Sequence, residues 1–187
     1  MFFITTNGTQ EMKRATTVLV LLACATTFTS AAALGHVTAN PDEGASGSYL
    51  RTALRVSHGC DGSPTAALHV EIPDNVHKVK AEAKPGWEVS VETRALEEPV
   101  ESGERMLNET VEEVVWHGGR LPDAQFDEFG LVMKLPAESE RTIYLPTTQE
   151  CEEGVNDWTN IPDEPEQWHD IEGPAPFIRL NEGGGHH

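Results

Sequence analysis

Basic residues are scarce in this chain. It carries 13 Lys and Arg, five of them lysine, against 31 Asp and Glu, a formal net charge of −18 over 187 residues. Neutralising a phosphate backbone takes clustered Lys and Arg, so nucleic acid is excluded as a partner. The same balance argues against an anionic membrane surface. Aromatics make up 6% and hydrophobic residues 38%, low for a packed globule but above the range of disordered chains. The apolar run Val18–Ala25 is too short to span a bilayer as a helix. No HExxH, CxxC, GxSxG elbow, P-loop or dinucleotide fingerprint occurs, so the zinc-protease, thiol-redox, serine-hydrolase and nucleotide sites have no signature here. Cations and cationic partners fit the charge better, and so does adaptation to a salty environment.

What is present begins with a leader. Residues 1–35 read as a signal peptide: Lys13 and Arg14 form a basic start, Val18–Ala25 an apolar core, and Ala33-Leu34-Gly35 places small residues at −3 and −1 of a cleavage site. Met12 is an alternative start, because residues 1–11 do not resemble a signal. The competing readings are an N-terminal membrane anchor and lipoprotein processing at Cys24, to which Leu21-Leu22-Ala23-Cys24 fits loosely. The expected location is periplasmic or extracellular, with a membrane tether left open. Cleavage after Gly35 leaves 11 basic against 30 acidic residues, a net charge of −19. It also makes His36 the first residue. An N-terminal His offers an α-amine with a pKa near ~7.7 and an imidazole near ~6.5, which together chelate a metal in a six-membered ring. Two nitrogens in a square-planar arrangement suit Cu(II). Chance exposure of a His by signal peptidase is the plainer alternative.

From His36 the chain reads as short extended runs separated by Gly, Pro and Asp. The spacing predicts strands over 36–40, 49–57, 65–72, 76–82, 87–93, 111–117, 129–135, 140–146 and 155–160. Leu68-His69-Val70-Glu71-Ile72 and Trp87-Glu88-Val89-Ser90-Val91-Glu92 alternate with period two, the mark of antiparallel strands with one solvated face. Many short strands at this spacing predict an all-β antiparallel sandwich over 36–161. The acidic segment 97–110 reads as a solvated hairpin loop. Residues 162–187 read as a loosely packed Pro/Glu/Gly-rich tail, ending in Gly183–Gly185 and His186-His187, where the histidines are either a weak metal pick-up point or an inert addition.

Cys60 and Cys151 are the two cysteines left after leader removal. An even count in an exported protein predicts a disulfide, with a thiolate metal site as the alternative. His58 precedes Cys60 at a strand end, where a metal ligand, a donor to a ligand and a turn residue are all open readings. His69, His77 and His117 are expected to face solvent, and Trp87 and Trp116 to lie in the core. Trp158 falls among polar residues, so it is either core or part of a site.

A combination of stretches is similar to a known family. His36-Val37-Thr38 follows the leader, then come Pro41-x-Glu43 and Gly47-x-Tyr49. Arg55-Val56-Ser57-His58-Gly59-Cys60-Asp61-Gly62-Ser63-Pro64-Thr65 and Lys84-Pro85-Gly86-Trp87 follow. Phe126-Asp127-Glu128-Phe129-Gly130, Gln149-x-Cys151, Gly154 and Trp158 complete the order. Over His36–Ile161 the chain resembles the YcnI-like copper-binding family of exported bacterial proteins. The resemblance implies an immunoglobulin-like or cupredoxin-like sandwich. It also implies Cu(II) held by a single-histidine brace at the mature N-terminus, in which His36 supplies two nitrogens. A carboxylate would complete the site, Glu43 from the matching stretch or Glu71 on a strand, with Trp158 beside the metal. The His-Gly-Cys and the second cysteine depart from simpler members and leave open whether His58 joins or replaces a ligand.

The expectation is thus a non-enzymatic envelope protein that binds copper for trafficking, uptake or delivery to a copper-trafficking or cuproprotein partner. Two alternatives stand beside it: a copper-dependent oxidase or monooxygenase, and a metal-free sandwich for partner binding. No methionine-rich Cu(I) site is visible, since Met106 and Met133 are the only methionines after the leader.

Overall fold

Period-two alternation turns into strands, and the strands stack. A computed structural model describes residues 35–102, 105–138 and 141–182. Residues 1–34 of the expected leader and the terminal Gly183–Gly185 and His186-His187 lie outside the described residues. The strands are β1 (Thr38–Asn40), β2 (Glu43–Ala45), β3 (Tyr49–Val56), β4 (Thr65–Glu71), β5 (His77–Ala81) and β6 (Glu88–Ser102). They continue as β7 (Arg105–Leu121), β8 (Asp127–Lys134), β9 (Thr142–Tyr144), β10 (Thr147–Cys151), β11 (Val155–Trp158) and β12 (Phe177–Asn181). One sheet has the order β1-β3-β8-β5 and the second β11-β10-β4-β7-β6. A third, β2-β12-β9, joins β2 to β12 in parallel; the other pairings are antiparallel. The described residues contain no α-helix, and none of their helical turns is long and apolar enough to cross a membrane.

The inward faces follow the alternation. Leu54 and Val56 of β3, Phe129, Leu131 and Met133 of β8, Leu68 and Val70 of β4, and Val114 and Trp116 of β7 share one core, each at most 1% exposed. Burying side chains of this size stabilises by about 1.5–3 kcal/mol each relative to exposure. The Trp116 indole N–H donates to the Glu82 carbonyl at 3.2 Å, and Trp87 is half-buried with its ring edge-to-face on Phe129 at 5.0 Å. Both are structural, as expected.

Two expectations are corrected. Residues 97–110 are not a loop: β6 and β7 stay paired from Glu88↔His117 out to Val100↔Leu107 and Ser102↔Arg105. This outer ribbon has no sheet behind it, so neither of its faces requires apolar residues, and the alternation that marks a half-buried strand is missing. Residues 162–182 are not a loose tail either. Trp168 is buried on a turn of 3-10 helix, Pro165–His169, and Ile178 and Leu180 of β12 join the core. Sparse apolar residues at useful positions outweigh the polar composition around them.

His77 opens β5, half-buried with Nδ1 3.4 Å from the Thr110 hydroxyl. Burial, and then the positive charge of Arg94, hold its pKa below that of an ordinary imidazole. The fold therefore prefers the neutral ring. Its contribution to stability is complete above the unfolded value of about 6.5 and is lost as pH falls through the lower folded value. Thermal melts between pH 7.5 and 5 should show a shallower acid-side decline for His77→Gln than for the native protein. Identical slopes would remove His77 from the acid response.

Candidate functional site

β1 and β3 pair antiparallel, with Thr38 opposite Arg55 and Ala39 opposite Leu54. Carrying that register back along the chain sets His36 beside Ser57 and Gly35 beside His58. The His58 Nε2 lies 2.6 Å from the Gly35 carbonyl oxygen. Two segments that are 23 residues apart in sequence therefore meet at one edge of the sandwich, directly at the expected cleavage point.

The His58-Gly59-Cys60 corner is fixed from several sides. Cys60 is bonded to Cys151 of β10, as expected from the cysteine count. The Gly59 N–H donates to Asp123 Oδ1 at 2.9 Å. Cys60 and Ser63 exchange backbone hydrogen bonds of 3.0 and 2.8 Å, closing a tight turn. A Cβ on Gly59 would run into the Ser63 carbonyl, so this close approach requires glycine.

A buried glutamine links this corner to Trp158. Gln149 is fully buried and points inward from β10. Its Nε2 donates to the His58 carbonyl and to Thr65 Oγ1, both at 2.7 Å. Its Oε1 accepts from the Trp158 indole at 3.0 Å and from Asn156 Nδ2 at 3.3 Å. Reading the sequence assigned Gln149 no role beyond a place in a motif. Its signal was there: a polar residue two positions before a disulfide cysteine, in phase with the buried face.

The half-buried His36 ring packs edge-to-face on Trp158 at 5.8 Å and on Trp168 at 4.9 Å between centroids. Trp158 also meets the His58 ring at 6.2 Å. Trp168 is anchored by its indole N–H to the Ala175 carbonyl at 2.6 Å and touches His169 at 4.9 Å. Burial first, then the neighbouring His169 and His58, push the His36 pKa down. The ring is thereby kept neutral, the form that binds metals, to lower pH than a free imidazole.

The structure thus brings together His36, His58 and Trp158 and adds Trp168 and His169, which lie in the stretch expected to be a tail. It does not bring in the expected carboxylates. Glu43 on β2 faces β12, where Arg179 Nε lies 3.6 Å from Oε1 and Asn181 Nδ2 3.4 Å from Oε2. Glu43 shares this guanidinium with Asp42, whose Oδ2 lies 2.9 Å from Arg179 Nη2. Glu71 ends β4, opposite Glu113 of β7. Through Thr147 the adjacent Val70 lies level with Trp158, two strands away, but Glu71 follows this inward-facing residue and is exposed on the opposite face. Among the described residues no three His, Cys, Asp or Glu side chains group to hold a metal ion. Met133 is fully buried in the core and Met106 exposed on the outer ribbon, which leaves them apart.

Fold and site together define an immunoglobulin-like β-sandwich with a histidine–tryptophan cluster at the start of its first strand. The family model described as a domain of unknown function, DUF1775, matches residues 36–180. The chain belongs to this family, the YcnI-like family that the stretches around His36, His58 and Phe129 resemble. The match begins at His36 and runs into β12, beyond the boundary expected at Ile161. A relative, the copper-binding protein CutI of Bacillus subtilis (strain 168), is 25% identical over 138 residues, covering 73% of this chain and 61% of its own length. The chain thus spans about three fifths of that curated relative. The crystal structure of an uncharacterized Nocardia farcinica protein with an immunoglobulin-like fold is 29% identical, with a TM-score of 0.56 over 78% of this chain and 98% of that one.

Proposed function

We propose that this is an exported copper-binding protein that holds Cu(II) at its mature N-terminus and passes it on within the cell envelope or outside it. The observation that carries this reading is the position of His36. Its ring sits half-buried between two tryptophans, directly after the expected cleavage point. The similarity to a relative named for copper binding supports the choice of metal. Amine and imidazole nitrogens are the donors Cu(II) favours. The strongly negative chain raises the local cation concentration, within the range that salt allows. Trp158 and Trp168 cover the imidazole, which favours holding and transfer over open-site chemistry.

The test compares protein beginning at His36 with the same protein acetylated on the His36 α-amine. In the second, the His36 nitrogen is an amide and one donor is lost. Cu(II) titration followed by tryptophan fluorescence and electron paramagnetic resonance should give one tight site, strongly quenched, in the first. Affinity in the second should fall by more than about 100-fold, because even changes in groups that only orient a ligand cost 10–100-fold. Equal affinity in the two proteins would rule out copper held by the free terminus.

A further inference from the structure

His58 is held in an arrangement that changes its meaning when Gly35 leaves. Its Nδ1 lies 2.6 Å from the Gly59 carbonyl and its Nε2 2.6 Å from the Gly35 carbonyl. Both neighbours are acceptors, and a neutral imidazole carries one N–H. With Gly35 in place the two carbonyls therefore compete for that hydrogen. A side chain at position 35 would also collide with Ser57 Oγ and the His58 ring, so the residue before the cut sits flush against this imidazole.

Cleavage after Gly35 removes one competitor. The Gly59 carbonyl then keeps the hydrogen on Nδ1 and leaves the Nε2 lone pair free. A ring N–H given to a backbone carbonyl, with the other nitrogen open, is how proteins orient a metal-binding histidine. Cleavage also creates the α-amine at the same place. Standard peptide geometry puts the His36 nitrogen about 2.3 Å from the Gly35 oxygen. The new amine therefore starts within about 5 Å of Nε2, given the 2.6 Å contact between Nε2 and that oxygen. Two nitrogens on one copper ion, at bonds near 2.0 Å, lie no more than about 4 Å apart.

We propose that leader removal converts His58 Nε2 from a partner of the Gly35 carbonyl into a third nitrogen ligand for Cu(II), beside the α-amine and imidazole of His36. The uncleaved protein is then blocked twice, at the amine by the peptide bond and at His58 by the Gly35 carbonyl. Glu43 lies against Arg179 and Glu71 faces away from the core, which fits this donor set, because a second imidazole takes the place either carboxylate was expected to fill. The Cys60–Cys151 bond, Asp123 and Gln149 fix the corner that presents His58.

This inference rests on copper binding at the free His36, and its test separates the two. Protein beginning at His36 is loaded with Cu(II) and examined by electron spin-echo envelope modulation, which counts coupled imidazoles. The native protein should show two, and His58→Gln and His58→Ala should show one with affinity about 10–100-fold weaker. Far-UV circular dichroism melts check that each variant folds. The native spectrum decides on its own if a variant does not. Tight binding with a single coupled imidazole, unchanged in His58→Gln, overturns the role of His58 while leaving copper at His36. Absence of tight binding by protein with a free His36 overturns both.

Discussion

Protein lacking the Cys60–Cys151 bond should melt roughly 10–15 °C below the native protein. The two residues lie 91 apart in sequence. In the chain-entropy account, closing a loop of that length restricts the unfolded chain by about 4–5 kcal/mol, and each kcal/mol moves the midpoint of a domain this size by about 2–4 °C. Cys60→Ala/Cys151→Ala measures this by calorimetry under the conditions used for the native protein. Removing one cysteine alone leaves a free thiol that invites mispairing, so the double variant is the cleaner comparison. The same variant should weaken Cu(II)-dependent quenching, because the bond ties the His58 corner to β10, which carries Gln149 and through it Trp158. A midpoint within about 2 °C of native would mean that hydrogen bonding alone holds the corner.

The architecture was legible wherever one face of a strand is apolar and the other wet. Leu68 and Val70 against His69 and Glu71 announce β4, and Phe129, Leu131 and Met133 announce β8. Strand β10 was missed because its buried face carries Thr147 and Gln149, polar side chains whose partners lie on other strands. The outer part of the β6–β7 ribbon was missed for the opposite reason, since neither face is buried. At the cluster, His36 stood out from chemistry alone, as a chelating residue placed directly after an expected cleavage point, and the structure sets its ring against Trp158 and Trp168. Trp158 was legible through the family resemblance. Trp168 and His169 were hidden in a polar stretch where one tryptophan seals the end of the sandwich. Glu43 misled because a motif fixes a position in sequence but not which neighbour takes the charge. Arg179, 136 residues further on, does so here.

Gln149→Leu tests whether one side chain holds the site together. Leucine matches glutamine in size and suits a fully buried position, so the change creates no large cavity. It removes four hydrogen bonds at once: two donated, to the His58 carbonyl and Thr65, and two accepted, from Trp158 and Asn156. The Trp158 indole and the Thr65 hydroxyl lie inside the protein and have no water to turn to. Each buried group left unpaired costs about 1–3 kcal/mol, so a total of about 3–5 kcal/mol is expected after partial relaxation. Thr147 is the internal control. It is equally buried two residues earlier on the same face, and its hydroxyl donates only to the Leu145 carbonyl, at 2.8 Å. Thr147→Val should therefore cost only about 1 kcal/mol. The two variants should part further in the copper response. Gln149→Leu frees both the His58 carbonyl and the Trp158 indole and should reduce Cu(II) affinity and quenching together, whereas Thr147→Val should leave both near native. Denaturant unfolding gives the stability difference, and titration of protein beginning at His36 gives the copper response. If the two variants lose equal stability and bind copper alike, Gln149 fills space, and the backbone of β10 rather than this side chain sets the distance between His58 and Trp158.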